Sequence, residues 1–300
     1  MEGEVTGGRA DERTGGRWVA VAVLLGACAG RDRVVVGAKN FTESDLLGEL
    51  VAQQIERRTA LPVERRLHLG GTFVCHQAIT SGQIDVYVEY TGTALRAILK
   101  DSAAASRDSV YRLVAAAYAS RFGLAWGKPL GFNNTFAIVV RGADARHYRL
   151  RRISDLAGVA PRWHAGFGPE FLDRPDGFPG LARVYGLRFA APPLAMDLGL
   201  TYRALADGKV DVIAGNSTDG TIQALGLVAL EDDRGYFPPY EAAPVIRSAL
   251  LERHPEIAAA LDQLAGKISD AEMRRLNLEA DVRHRDIRAI AREWLQANLP

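Results

Sequence analysis

The chain has 300 residues, of which 48% are hydrophobic and 24% are charged, with 37 Lys and Arg against 36 Asp and Glu. This composition is typical of a folded globular protein and excludes a largely disordered chain. The formal net charge of +1 provides no basic field, so we predict no nucleic-acid partner. No uninterrupted apolar run reaches the length of about 18 residues that a transmembrane helix needs, which excludes a multi-span membrane protein.

The first 30 residues are predicted to be a targeting segment rather than part of the fold. A basic flank precedes an apolar run at 18–25, and small residues lead from there to Cys28. This order is typical of a secretory signal. The tetrad at 25–28 resembles the lipobox of bacterial lipoproteins, in which the cysteine becomes the lipidated first residue. We therefore predict that residues 1–30 are signal and anchor, with Cys28 lipidated; an ordinary signal peptide with an incidental cysteine is the alternative.

The other cysteine and the histidines show no catalytic or metal-binding pattern. Cleavage before Cys28 would leave Cys75 without an intramolecular partner, and its apolar neighbours predict a buried small residue rather than a nucleophile. The histidines lack the spacing of a metal site; they lie at positions 68, 76, 147, 164, 254 and 284. We predict no metal and no cofactor.

Strands and helices alternate in the first half of the mature chain. Short β-branched runs predict buried strands, and apolar residues at helical spacing predict helices between them. The predicted strands are 34–37, 63–67 and 84–88; the predicted helices begin near 42 and 72, and further helical stretches lie at 94–99 and 108–122. A β-α-β-α-β order indicates an α/β fold with a mostly parallel sheet covered by helices.

The same alternation restarts in the second half, which suggests two similar lobes. The predicted strands are 136–140, 163–167, 187–190 and 210–214, with a helix start at 153–156, helices at 177–185 and 202–207, and a helical tail at 249–299. The segments 82–86 and 208–212 share one pattern: in each, a Gly turn leads into a strand whose carboxyl end carries polar residues.

Polar and aromatic residues cluster at these strand ends, where α/β sheets bind ligands. The segments are 39–41, 89–93, 133–136 and 216–219, and they are rich in rings, hydroxyls and amides. They contain no dinucleotide fingerprint, phosphate loop or hydrolase elbow. We therefore predict a binding protein and not an enzyme.

Several motifs in order resemble the osmoprotectant (glycine betaine/choline) substrate-binding proteins of ABC importers. They lie at 37–43, at 69–72 with His76, and at 85–93, 132–135, 171–181, 217–220 and 232–240. The resemblance implies a type II periplasmic-binding-protein fold, in which two lobes joined by two crossover strands close on the ligand. It places lobe one at 31–133 plus 241–300 and lobe two at 134–240, with crossovers near 133–135 and 239–243.

The resemblance also implies the binding residues. A quaternary ammonium donates no hydrogen bond and is held by ring faces, whereas a carboxylate needs cationic and hydroxyl donors. The implied cage residues are Tyr90, Phe136 and Tyr240. The implied carboxylate donors are Lys39, Thr93 and Arg174. Asn216 stands where relatives carry Tyr, and Asn134 where some carry Asp. These two amides would also suit a ligand with N–H or O–H groups.

We therefore expect an exported, lipid-anchored, monomeric solute-binding protein, periplasmic or at the cell surface. It would capture a glycine betaine/choline-like compound between its lobes and deliver it to an ABC permease. An amino acid or an amino-acid-derived betaine is the alternative ligand. A ligand-sensing subunit of a membrane receptor is the alternative from another class, and an enzyme on the same fold is the third.

Overall fold

The computed structural model describes residues 33–101 and 106–300, so the predicted signal segment and Cys28 lie outside the described residues. The strands are β1 Val34–Gly37, β2 Val63–Arg66, β3 Val86–Tyr90, β4 Leu124–Trp126, β5 Phe136–Arg141, β6 Ala165–Phe167, β7 Leu194–Ala195, β8 Val212–Asn216, β9 Leu227–Leu230 and β10 Ala242–Arg247.

Helices cover both faces of the sheets that these strands form. They are α1 Thr42–Arg58, α2 Thr72–Thr80, α3 Thr91–Thr93, α4 Arg107–Phe122, α5 Gly142–His147, α6 Pro169–Asp173, α7 Phe178–Tyr185, α8 Leu198–Ala206, α9 Gly220–Ala224, α10 Ser248–Arg253, α11 Glu256–Asp262, α12 Asp270–Asp281 and α13 Ile287–Asn298. A π-helical turn follows α3 at Ala94–Ile98, and 3₁₀ turns lie at Ile153–Gly158 and Ala160–Arg162. In the described ranges, no helix combines the length and the apolar character that crossing a bilayer requires.

The strands form two five-stranded sheets, which we call sheet A (order β2-β1-β3-β10-β4) and sheet B (order β7-β6-β8-β5-β9). In sheet A, β1 is parallel to β2 and β3, while β10 is antiparallel to β3 and β4. In sheet B, β6 is parallel to β7 and β8, while β5 is antiparallel to β8 and β9. Each sheet thus has one strand opposed to the others, which confirms the expected mostly parallel α/β architecture.

The two opposed strands are the ones that the chain enters from the other sheet. The chain passes from β4 of sheet A to β5 of sheet B, and it returns from β9 to β10. The two connecting segments run antiparallel to each other: Asn133 and Glu241 form a β-bridge, and the Asn134 N–H donates to the Tyr240 carbonyl at 3.0 Å.

The inner strands of each sheet are buried on both faces, as the β-branched runs predict, whereas β7 is exposed and β2 half-buried at the sheet edges. Along β1, Val34 and Val36 pack into the core beneath α1 and α13, whereas Val35 packs on the opposite face with Cys75. This alternation follows from the two-residue period of a strand. Sheet B is likewise covered by two separate apolar clusters.

The structure corrects part of the strand assignment. The strand predicted at 187–190 is wrong: α7 ends at Tyr185 and is capped by Gly186, whose φ of 67° is left-handed. The Leu187 N–H then donates back to the Ala182 carbonyl. Leu187 packs into the core of sheet B without strand pairing, and Leu194–Ala195 pairs with β6 instead. Strands β4, β7, β9 and β10 were not predicted. The tail after residue 248 is helical, as expected.

Candidate functional site

A cavity of about 310 Å³ lies where the strand ends of sheets A and B face each other, and it brings all the predicted site residues together. Its lining includes Lys39, Tyr90, Thr93, Asn134, Phe136, Arg174, Asn216 and Tyr240. This placement agrees with the predicted cleft, while the ligand-binding role of each residue stays a prediction.

The topology explains why positions distant in the sequence meet. Tyr90 is the last residue of β3, which runs parallel to β1 in sheet A. Asn216 is the last residue of β8, which runs parallel to β6 in sheet B. Phe136 is the first residue of the opposed strand β5 and pairs with Asn216, while the opposed strand β10 begins with Ala242 opposite Tyr90. Because β5 and β10 run against their neighbours, their starts lie at the same sheet edges as the other strands' carboxyl ends.

Six aromatic rings line the cavity, of which the sequence analysis identified three. Phe136 lies at the centre, with its ring centroid 5.8 Å from that of Tyr240 and 4.8 Å from that of Phe171. Phe41 stacks beside Tyr90 at 6.4 Å. Phe171 and Phe41 were missed, as was Phe73, a half-exposed residue in the first turn of α2. Phe41 and Phe171 lie within the family-like motifs, which is the signal that could have identified them.

Lys39 is buried and paired with the protein's own groups. Its Nζ lies 2.5 Å from Glu89 Oε1 and donates to Thr72 Oγ1 at 3.1 Å. The same Nζ lies 5.1 Å from the centroid of the Tyr90 ring. The positive charge of Lys39 is therefore neutralised by Glu89 of β3, and it also lies over one face of the Tyr90 ring.

Arg174 is paired in the same way. Its Nε and Nη2 donate to the two oxygens of Asp176 at 2.9 and 2.5 Å, and the Tyr240 hydroxyl donates to Asp176 at 2.6 Å. Nη2 also reaches Thr93 Oγ1 at 3.3 Å, and the guanidinium lies 5.1 Å from the Phe136 centroid. Arg174 and Thr93 are thus in contact and share the cavity lining with Lys39, but both cations already have a buried carboxylate partner.

Glu43 is a buried carboxylate that the sequence analysis quoted only as part of a motif. It accepts from Tyr90 and Asn134 on one oxygen, each at 2.7 Å, and from Thr218 and Asn277 on the other, at 2.5 and 2.7 Å. Burial raises the pKa of Glu43, and these hydrogen bonds oppose the shift. Asn134 therefore uses its amide nitrogen to hold Glu43.

Asn216 lies at the border between the first cavity and a second one of about 520 Å³. Its backbone N–H donates to Asp219 Oδ2 at 3.0 Å, and the same oxygen accepts from the Tyr202 hydroxyl at 2.5 Å. The two cavities share lining residues, among them Asn40, Phe41 and Asn216, so they adjoin each other beside the predicted cage.

Asp219→Asn is expected to flatten the pH dependence of stability. Burial raises the pKa of Asp219 from 3.8 to about 7, and the nearby charges of Glu43 and Asp281 add to the shift. The folded protein therefore retains a proton that the unfolded chain releases, so the free energy of unfolding falls as pH rises from about 4 to 7. One proton gives a slope of at most about 1.4 kcal/mol per pH unit.

Urea denaturation at several pH values measures this effect. The Asp219→Asn variant should lose much of the slope between pH 4 and 7, while the exposed Asp207→Asn should keep it. Equal slopes in the wild type and in Asp219→Asn would contradict the assignment.

The part of the chain that the structure describes contains no cluster of three potential metal ligands. Cys75 is buried, and burial raises the pKa of its thiol to about 12. A thiol with this pKa remains protonated at neutral pH, which agrees with the predicted packing role rather than a nucleophilic one.

Comparison with known proteins identifies relatives over nearly the whole described chain. Residues 32–297 match the family described as the substrate binding domain of ABC-type glycine betaine transport system. A carnitine transport binding protein, OpuCC, of Listeria monocytogenes is 35% identical over 89% of this chain and 87% of its own length. A glycine-betaine-binding protein of Pseudomonas aeruginosa is 36% identical over 90% of this chain and 92% of its own.

A solved structure supports the same grouping. The crystal structure of a glycine betaine/carnitine/choline ABC transporter protein matches with a TM-score of 0.72 and 33% identity, over 88% of this chain and 98% of that one. These matches confirm the resemblance and the two-sheet fold predicted from the sequence motifs. The chain therefore belongs to the family of substrate-binding domains of ABC-type glycine betaine transport systems.

Proposed function

We propose that this protein captures a small quaternary ammonium compound in the cavity between sheets A and B and delivers it unaltered to an ABC permease. The observation that carries the proposal is the cavity itself, which is lined by rings from both sheets and by Tyr240 of the second connecting segment. Two of its relatives are named as a carnitine transport binding protein and a glycine-betaine-binding protein. A quaternary ammonium needs a desolvated environment of ring faces, which this lining offers.

The energetics of such binding are reasonable. A micromolar Kd requires about 8 kcal/mol. Each ring face contributes about 0.5–2 kcal/mol to holding the cation. Tyr90, Phe136 and Tyr240 are the proposed cage, and Thr93, Lys39 and Arg174 would face the polar end of the ligand. Exclusion of water must supply the rest, because exposed polar pairs contribute little.

Closure around the ligand is the proposed working motion. We assign lobe one to 31–133 plus 241–300 and lobe two to 134–240, with the paired segments at 133–135 and 239–243 as the hinge. The bridge between Asn133 and Glu241 supports this assignment, since it couples the two connecting segments. A ligand that contacts both lobes shifts the population towards the closed form.

Export and anchoring complete the proposal. The signal and the lipobox-like tetrad ending at Cys28 support a protein tethered outside the cytoplasm by a lipid, and we propose that it acts as a monomer.

Binding measurements on the mature protein test the proposal. Thermal-shift screening followed by calorimetry should show saturable binding of choline, glycine betaine or carnitine, with the ligand recovered unchanged. No binding of any of the three, with a larger zwitterion bound instead, would replace it with the alternative below. Conversion of a bound compound to a product would refute a pure transport role.

A larger betaine or an amino acid is the second candidate ligand. The observation that favours it is the second cavity of about 520 Å³, which adjoins the first and shares Asn216 with it. An amino-acid-derived betaine could place its quaternary end among the rings and extend past this amide. The same screen should therefore include ergothioneine and free amino acids.

A further inference from the structure

The side chain of Glu170 connects the two sides of the cavity. Glu170 lies in α6, which follows sheet B strand β6, yet its carboxylate reaches the first turn of α2 beside sheet A. There Oε1 accepts the Thr72 backbone N–H and Oε2 accepts the Thr72 hydroxyl at 3.1 Å. Oε2 also lies 3.5 Å from Arg174 Nη1.

These three donors form the kind of set that holds a ligand carboxylate. An N–H at a helix start, a hydroxyl and a guanidinium all favour an anionic oxygen. A Cβ on residue 71 would collide with Glu170 Oε1, so Gly71 permits this close approach. A carboxylate of the protein itself therefore occupies the donor set next to the proposed cage.

The charge balance around the cavity points in the same direction. Lys39 and Arg174 are each matched by a buried partner, Glu89 and Asp176. Glu170 and Asp197 also line the cavity and add negative charge that these two cations do not balance. A ligand carboxylate placed here would meet repulsion, whereas a cation with a hydroxyl would meet attraction and an acceptor.

We propose that Glu170 is a specificity-determining residue, which selects quaternary ammonium alcohols over betaines that carry a carboxylate. This inference rests on the proposed function and specifies its ligand class. Choline and glycine betaine are the suitable probes, because both carry a trimethylammonium group and they differ in having a hydroxymethyl or a carboxylate end.

Calorimetry with both compounds on wild type and Glu170→Gln tests the role. Glutamine keeps the size and the acceptor oxygen but removes the charge. We expect the ratio of the glycine betaine Kd to the choline Kd to exceed one in the wild type, and to fall at least tenfold in Glu170→Gln. Glu56→Gln is the matched control, because Glu56 has a similarly exposed side chain (39% against 35%), pairs with Arg65 and does not line the cavity.

The outcomes separate this inference from the proposed function. An unchanged ratio in Glu170→Gln, or an equal change in Glu56→Gln, would overturn the role of Glu170 while leaving the transport function intact. If the wild type binds neither of these two compounds nor carnitine, the proposed function of the wild-type protein fails. In that case, new glycine betaine binding by Glu170→Gln would still support the role of this charge, and its absence would overturn it.

Discussion

Asp176→Ala is expected to lower the free energy of unfolding by about 3–5 kcal/mol, the cost of leaving one buried ion without its partner. Asp176 and Arg174 are each 3% exposed. The carboxylate accepts two hydrogen bonds from Arg174 and one from Tyr240. Its removal would leave the buried guanidinium next to Phe136 with only the longer contact to Glu170, at 3.5 Å. Urea denaturation of the purified protein measures the loss.

Two further variants separate the buried pair from ion pairing in general. Asp262→Ala breaks the exposed pair with Lys128, whose side chains are 41% and 64% exposed, and should cost less than about 1 kcal/mol. Replacing both buried partners, as Arg174→Met with Asp176→Leu, should recover much of the loss, because neither charge of this pair then remains to be buried. A cost for Asp176→Ala no larger than that for Asp262→Ala would show that the pair is not critical.

Tyr90→Ala is expected to weaken binding of the best ligand at least tenfold in calorimetry. The Tyr90 ring lines the cavity, stacks beside Phe41 and is the last residue of β3, so both its position and its orientation are fixed by the sheet. Loss of the ring removes a cation-binding face, worth about 0.5–2 kcal/mol, and the dry wall around the ligand. An unchanged Kd would remove Tyr90 from the site.

The controls for Tyr90 account for its place in the core. Tyr90 is 5% exposed, so the alanine variant also leaves a void. Tyr90→Leu fills more of that space without a π face and should bind as weakly as the alanine variant. Tyr90→Phe keeps the face, loses only the hydrogen bond to Glu43, and should stay within a few-fold of wild type. Tyr111→Ala removes a partly buried tyrosine outside the cavity and should leave the Kd unchanged.

The location of the site could be predicted because it follows from local patterns and one topological rule. β-branched runs such as that of Val34 to Val36 indicate buried strands, and parallel strands gather their carboxyl ends at one edge. Motifs after those strands therefore had to converge. The family-like motifs contributed what spacing alone could not, which is the placement of Arg174 and Tyr240 at the same cavity.

The partners of the charged residues could not be predicted in the same way. Lys39 pairs with Glu89, and Glu170 reaches Thr72; these contacts join residues 50 and 98 positions apart. Nothing in the local sequence distinguishes a cation that is free to bind a ligand from one already neutralised by the fold. The sequence also gives a misleading signal for β10, because Pro244 lacks a backbone N–H and such a residue argues against a central strand. In the structure, the Pro244 carbonyl still accepts a hydrogen bond from the Gly127 N–H at 2.8 Å.

The position of β10 has a consequence for the order of assembly. Sheet B uses one continuous stretch of chain, from Phe136 to Leu230, and can form from neighbouring residues. Sheet A needs β10 between β3 and β4. Val86 of β3 can therefore pair with Ile246 of β10 only after the chain has been made that far, and the sheet is incomplete until then. Such distant pairing slows folding. Until it occurs, the facing edges of β3 and β4 expose unpaired backbone groups, the kind of edge through which chains aggregate. The earliest-synthesised sheet is thus the last to be completed.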